Sequence, residues 1–371
     1  MKKIRIGIIT AIIAIAMGCG KDGGDQPDTS KYTIYTAGIY DDYRWIGCFW
    51  KNGIREDFNP GGNGMSVVVT GLSVSNGIIY VSGYYHTDQI WYNTPCYWKN
   101  GVKTDLPDDT DLPPGSLERA AYAKGIYAVG NDVYTVGRYN VADEFPYPGR
   151  VQPCYWKNTT RFDITDYPDR FAEATCIFVS GNDIYFGGNY AVPGTSPSKY
   201  QACYWKNGVK TDLPGDNSYV KDIFVENGKV YAVGYCAREH IQDPCYWADG
   251  QKLDLSFGDA ISCSSNAIFV DNGAIYIAGG LSFDGYSYAC YWKDGKQTKL
   301  TKNACSYSIF VKDGIVFSSG CCDAKSGKCD WTGGIGTVPC YWINTKCTEL
   351  SVEVPNLCDT YNNNAIGIFV E

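Results

Sequence analysis

His86 and His240 are the two histidines of this 371-residue chain. With Arg138, Arg238 and Tyr139 they supply the residue types of one kind of acid–base site. In such a site a Tyr or His takes a proton from the carbon beside a carboxylate, and an Arg neutralises that carboxylate. That is elimination chemistry on an acidic sugar. The neighbouring acids Asp143 and Glu144 suggest paired-carboxylate hydrolysis instead. Neither set forms a local motif, so two surface histidines and a solvated acidic loop tip fit these residues as well.

Seventeen cysteines offer a second chemistry. Seven open a repeated phrase, and Cys19 ends an apolar leader. The other nine are Cys176, Cys236, Cys263, Cys305, Cys321, Cys322, Cys329, Cys347 and Cys358. In an exported chain, Cys329 is placed to close on Cys321 or Cys322 and pin the segment 321–338. Free thiols are one alternative and zinc another, but for zinc "CC…C" lacks paired Cys-x-x-Cys spacing and no histidine is near. The sequence assigns no metal and no cofactor.

Aromatic residues make up 15% of the chain. Seven of the ten tryptophans recur in the phrase; Trp45, Trp91 and Trp331 do not. Tyr40, Tyr85, Tyr139 and Tyr190 each follow a recurring glycine by two residues. Such rings suit stacking on sugars or anchoring a protein partner, and they also suit packing loops together.

The elements that must position these residues follow from the repeat. "PCYWKNGVKTDLP" (95–107) returns as "ACYWKNGVKTDLP" (202–214). Variants start at Cys48, Cys96, Cys154, Cys203, Cys245, Cys290 and Cys340. Each is an aromatic strand, an Asn-Gly or Asp-Gly turn such as Asn52-Gly53, and a polar strand. A second hairpin precedes it, as in "IFVENGKVYAVG" (223–234). Four strands per unit, here called a (IFV), b (IYxxG), c (CYWK) and d (KTDL), describe a propeller blade. The first unit lacks strand a, and the chain ends on one, "IGIFVE" (366–371). The sequence therefore predicts an all-β, seven-bladed β-propeller over 32–371, closed by its last strand. In strand c both faces pack on neighbouring blades, so the motif cysteines read as small buried hydrophobes. The recurrent strand-d aspartates, Asp105 and Asp212 among them, read as hydrogen bonds tying each blade down.

"YWKNGVKTDL" resembles the extracellular HAF repeat. The four-strand grammar is similar to kelch blades, whose Gly-Gly survives at Gly187-Gly188 and Gly279-Gly280. Both resemblances imply a propeller; neither implies a single activity or a catalytic residue.

"MKKIR" and the short apolar run "IGIITAIIAIAMG" read as a signal peptide over 1–18. Gly18-Cys19 resembles the lipobox of bacterial lipoproteins, which implies acylation at Cys19. "GKDGGDQPDTSK" (20–31) then reads as a tether, giving a 19–31 linker behind the lipid. Its acidic residues resemble a surface-export tag, so an outer-membrane lipoprotein is expected, facing the surface rather than the periplasm. With 32 basic and 40 acidic residues, a net charge of −8 argues against nucleic acid as a partner. A monomer touching the membrane only through its lipid is expected.

In this topology the a–b and c–d turns share one face, and the b–c and d–a connections share the other. Binding without catalysis, of a glycan or a protein, is expected on that second face. Its candidate residues are Trp45, Trp91, Trp331, Tyr40, Tyr85, Tyr139, Tyr190, His86, His240 and Arg138. A carbohydrate-active enzyme, lyase or hydrolase, on the same face is the alternative, and an envelope scaffold is the third.

Overall fold

A computed structural model describes residues 27–41, 44–58, 65–87, 90–107, 120–141, 150–165, 171–195, 198–238, 241–323, 336–352 and 363–371. The leader and Cys19 lie outside them. Residues 32–371 form one compact unit. Its described residues hold twenty-eight strands and no helix.

The strands make seven four-stranded antiparallel sheets, each in the order a-b-c-d. The chain is a seven-bladed β-propeller. Six blades are continuous in sequence. The first is composite: the last strand, Asn364–Val370, pairs with Ile34–Asp41, setting Ile34 opposite Val370. This clasp pairs the edge strand that an open array would leave exposed.

The turns behave as their sequences require. Asn52 and Gly53 both take positive φ (51° and 79°), as a type I′ turn demands. The asparagine also anchors the turn to strand b, because Ile34 N–H donates to Asn52 Oδ1 (2.8 Å) and Asn52 N–H donates to Ile34 O (2.8 Å). The same bond recurs at Asn100, Asn158, Asn207, Asp294 and Asn344.

All seven motif cysteines and all seven motif tryptophans are completely buried. Burying each indole contributes on the order of 3 kcal/mol. The indole N–H also joins blades. Trp156, Trp247 and Trp292 donate to Pro107 O, Pro214 O and Ser256 O, each at the strand-d exit of the preceding blade (2.8, 2.7 and 2.9 Å).

Candidate functional site

The innermost strands shape the axis. In every blade strand a carries one residue with no partner on strand b. These are Thr70, Lys124, Thr175, Lys221, Asn266, Tyr307 and Ile366. Such a bulge re-aims a side chain, and all seven bulge residues line one axial cavity of about 250 Å³. Three of them hook onto the next blade: Thr70 Oγ1 donates to Ala123 O (2.9 Å), Thr175 Oγ1 to Val220 O (3.0 Å) and Asn266 Nδ2 to Ser306 O (2.8 Å). The intervening blades contribute Lys124, Lys221 and Tyr307.

The bulge explains the recurring glycine of strand b. It brings a strand-a carbonyl over that residue, so a Cβ on Gly137 would sit 1.8 Å from Tyr122 O. A Cβ on Gly234 would meet Tyr219 O at the same distance.

Two residues before each bulge, toward the b–c and d–a face, lies a second layer. Blades two to five fill it with aromatic and charged groups, in cross-strand pairs: Val68 with Tyr84, Tyr122 with Arg138, Glu173 with Asn189, Tyr219 with Tyr235. The pairs of blades six and seven are Ser264 with Gly280 and Cys305 with Cys321. Blades two to five therefore make the mouth aromatic and basic, blades six and seven line it with small side chains, and blade one contributes the pair Asn364 and Ile39.

The aromatic half is continuous. Tyr84 meets Tyr122 edge-on at 5.0 Å, Phe171 meets Tyr200 at 5.3 Å, Tyr200 meets Tyr219 at 5.1 Å, and Tyr219 stacks on Tyr235 at 4.8 Å. Arg138 lies 4.8 Å over the Tyr122 ring and 3.4 Å from Glu173. Lys124 lies 5.3 Å from the same ring, and Lys221 lies 5.6 Å from Tyr235. Among the described residues of this layer and the bulges, three cations stand against Glu173.

Burial lowers the Lys124 pKa; Glu173 opposes this, and Arg138 and Lys221 add to it as like charges. Burial also raises the phenols of Tyr84 and Tyr235 and pushes Tyr219 up to about 12. Asp222 is half-buried beside the axis and pushed up to about 7 by desolvation. Its carboxyl accepts from Ile223 N–H (2.9 Å) and, across the blade boundary, from Ile268 N–H (3.0 Å).

The residues singled out from sequence are distributed differently. Tyr40, Tyr85, Tyr139 and Tyr190 are buried between strands b and d and do not present their rings on the rim. Tyr40 OH donates to Asp57 (3.0 Å) and Tyr139 OH to Asp163 (3.1 Å). A strand-d cation covers each ring: Arg55, Lys103, Arg161 and Lys210, at 3.8–4.5 Å. Asp57 and Asp163 thus tie strand d to strand b, while Asp105 and Asp212 pair with Lys103 and Lys210 of their own strands (3.0 and 2.6 Å). Arg138 follows the alternation of its strand onto the face opposite Tyr139, so its partner is Tyr122. Arg238 pairs with Asp243 on the surface, and His86 is exposed.

Trp45 opens strand Trp45–Lys51 and is 37% exposed. The stretches 236–243 and 281–288, which are b–c connections by their place in the repeat, are mostly extensions of strands b and c. His240, Trp331, Asp143, Glu144, Cys329 and Cys358 lie outside the described residues, as does the Trp91 side chain. Sequence reasoning found Arg138 but missed Tyr122, Lys124, Glu173, Tyr219, Lys221 and Tyr235. The available signal was "YAK" and "YVK" just before the apolar core of strand a, at 122–124 and 219–221.

No protein-family model matches the chain, and no curated protein matches it in sequence. Among solved structures, an ulvan lyase of polysaccharide lyase family PL25 is similar, with TM-score 0.51 and 10% identity, over 89% of this chain and 94% of that one. The same lyase bound to -[GlcA(1-4)Rha3S]- aligns with TM-score 0.50 over the same shares, again at 10% identity. A Trypanosoma rangeli sialidase aligns with TM-score 0.46 and 7% identity, over 84% of this chain and 57% of that one. At these identities the likeness is one of fold.

Proposed function

We propose that the propeller binds an acidic glycan across the mouth of its axial cavity, as the exported part of a lipoprotein anchored through Cys19. The observation that carries this reading is the convergence of Arg138 and Lys124 on the Tyr122 ring, with Lys221, Tyr219 and Tyr235 two blades further round the same half of the mouth. Sugar rings stack on tyrosine faces while the guanidinium and ammonium groups meet carboxylate or sulfate. The cavity is smaller than the roughly 300–1,000 Å³ of drug-sized sites. A polymer would therefore lie across the mouth, using the room beside Ser264 and Gly280, and place at most one unit in the axis.

A lyase is the second reading, favoured by the contact of Arg138 with Tyr122. There Arg138 would neutralise a uronate carboxylate and the Tyr122 oxygen would take the adjacent proton. The raised phenols of Tyr84, Tyr219 and Tyr235 suit binding better than base catalysis. Protein beginning at Thr29, run through native gels containing acidic or neutral polysaccharides, separates the readings. Retardation by acidic polymers without new ultraviolet-absorbing unsaturated ends supports binding. Unsaturated ends move the assignment to a lyase, and no retardation moves it to a protein partner or a scaffold.

A further inference from the structure

The seventh blade departs from its siblings at one place. In blades one to four, strand b carries a tyrosine two residues after its glycine, strand c the motif cysteine, and strand d a cation. In blade one the set is Tyr40, Cys48 and Arg55; in blade three it is Tyr139, Cys154 and Arg161. In blade seven the same three positions are Cys322, Cys340 and Cys347. Their sulfurs all lie within 4.8 Å of one another. Cys322 and Cys340 are buried, and Cys347, on the outermost strand, is half-buried.

A disulfide does not fit this arrangement. Cys322 and Cys347 are separated by strand c, so their Cα atoms are about 9.6 Å apart at ~4.8 Å per strand. Cys340 sits opposite Gly320 and Glu349, which makes it a diagonal neighbour of both other cysteines. Diagonal Cα separations of about 7–8 Å exceed the roughly 4.4–6.8 Å that a disulfide spans. Three sulfurs that converge while their backbones stay apart suit a shared ion. A metal with thiolates at about 2.3 Å holds its sulfurs close to 4 Å apart.

We propose that Cys322, Cys340 and Cys347 bind one thiophilic d10 cation of the zinc, cadmium or copper(I) kind through three thiolates. All-sulfur ligation selects such ions over magnesium or calcium. Cys347 gives the ion its route in from the blade edge. Binding a divalent ion replaces three S–H bonds by three metal–sulfur bonds and releases three protons to solvent. Cysteine binds a metal as the thiolate, so affinity rises with pH. The site lies in strands b, c and d of one blade, apart from the strand-a bulges that line the axis.

The full chain, purified under reducing conditions and titrated with Cd(II) alone, tests this. One equivalent is expected to bind tightly, with the sulfur-to-cadmium absorption of three thiolates, and to close the half-buried Cys347 to a thiol reagent. Cys322→Ala and Cys347→Ala should each weaken that equivalent more than about 100-fold, beyond the 10–100-fold typical of outer-shell changes. Cys236→Ala, which removes the blade-five thiol 3.9 Å from Cys245, should leave it unchanged. X-ray absorption of the unsubstituted protein with one equivalent of Zn(II) needs no variant to fold. A first shell of three sulfurs supports the site, and an oxygen and nitrogen shell overturns it. Absence of a tight equivalent, or its survival in both blade-seven variants, also overturns it.

Discussion

Tyr122 and Arg138 face each other across the first two strands of the third blade, with the guanidinium 4.8 Å above the ring. Glu173 of the next blade forms an ion pair with that guanidinium, 3.4 Å from its Nε. A cation fixed by a ring and a carboxylate costs little further ordering when an anionic ligand arrives. Arg138→Ala is therefore expected to weaken binding of acidic polysaccharide by about 1.5–3 kcal/mol, the loss typical of a hydrogen bond to a charged group. Arg138→Lys should recover only part of it, because a point charge does not replace the planar fork. Affinity electrophoresis of the two variants checks this.

Raising salt should weaken the same interaction. The three cations at the mouth are partly exposed, and exposed charges are screened within about 8 Å at physiological ionic strength. Retardation by an acidic polymer should fall between low and moderate salt. A ligand held by the rings alone would show no such dependence.

Gly137→Ala places a methyl where Tyr122 O already stands. Relief requires undoing the bulge that aims Lys124 at the axis. A loss of at least about 3 kcal/mol is expected, near the upper end for single substitutions, together with loss of glycan binding. Thermal unfolding and affinity electrophoresis read the two effects. Gly53→Ala is the contrast: nothing lies within 4 Å, and only the positive φ is strained.

Tyr139→Phe removes one hydrogen bond, to Asp163, and leaves the Arg161 contact with the ring. About 1 kcal/mol of stability should be lost. Glycan binding should be unchanged, because the ring packs inside its blade. Reduced binding in this variant would return Tyr139 to the site.

The repeat carried the architecture because its signals are local. Asn52-Gly53 specifies a turn, Cys-Tyr-Trp specifies a strand buried on both faces, and the unmatched first and last strands specify closure. The candidate site was legible only in part. Tyr139 and Arg138 are neighbours in sequence, yet alternation sends one into the blade and the other to the axis. Tyr122 and Lys124 are aimed by a bulge, and a one-residue register shift leaves no mark on hydrophobic period. What does mark it is the obligatory Gly137 one strand away, whose cause is visible only when the carbonyl of Tyr122 is seen above it.

Asp222 gives the stability a definite pH dependence. Its carboxyl titrates at about 7 in the folded protein against an ordinary 3.8. Between these values the folded chain holds a proton that the unfolded chain has lost, so stability falls as pH rises. The neutral acid's contribution is whole below about pH 4 and gone above about pH 7. Asp222→Asn should flatten that window in unfolding experiments run from pH 4 to 8.

The most direct measurement of the central claim is the affinity of the chain from Thr29 for one acidic and one neutral polysaccharide, unsubstituted and with Arg138→Ala and Lys221→Ala combined. The same mixtures are read for unsaturated ends. Selective binding of the acidic polymer, lost in the double variant while Trp45→Ala keeps it, is the predicted result. Equal binding of both polymers, or acidic binding that survives the double variant and vanishes in Trp45→Ala, would contradict a site at the axial mouth.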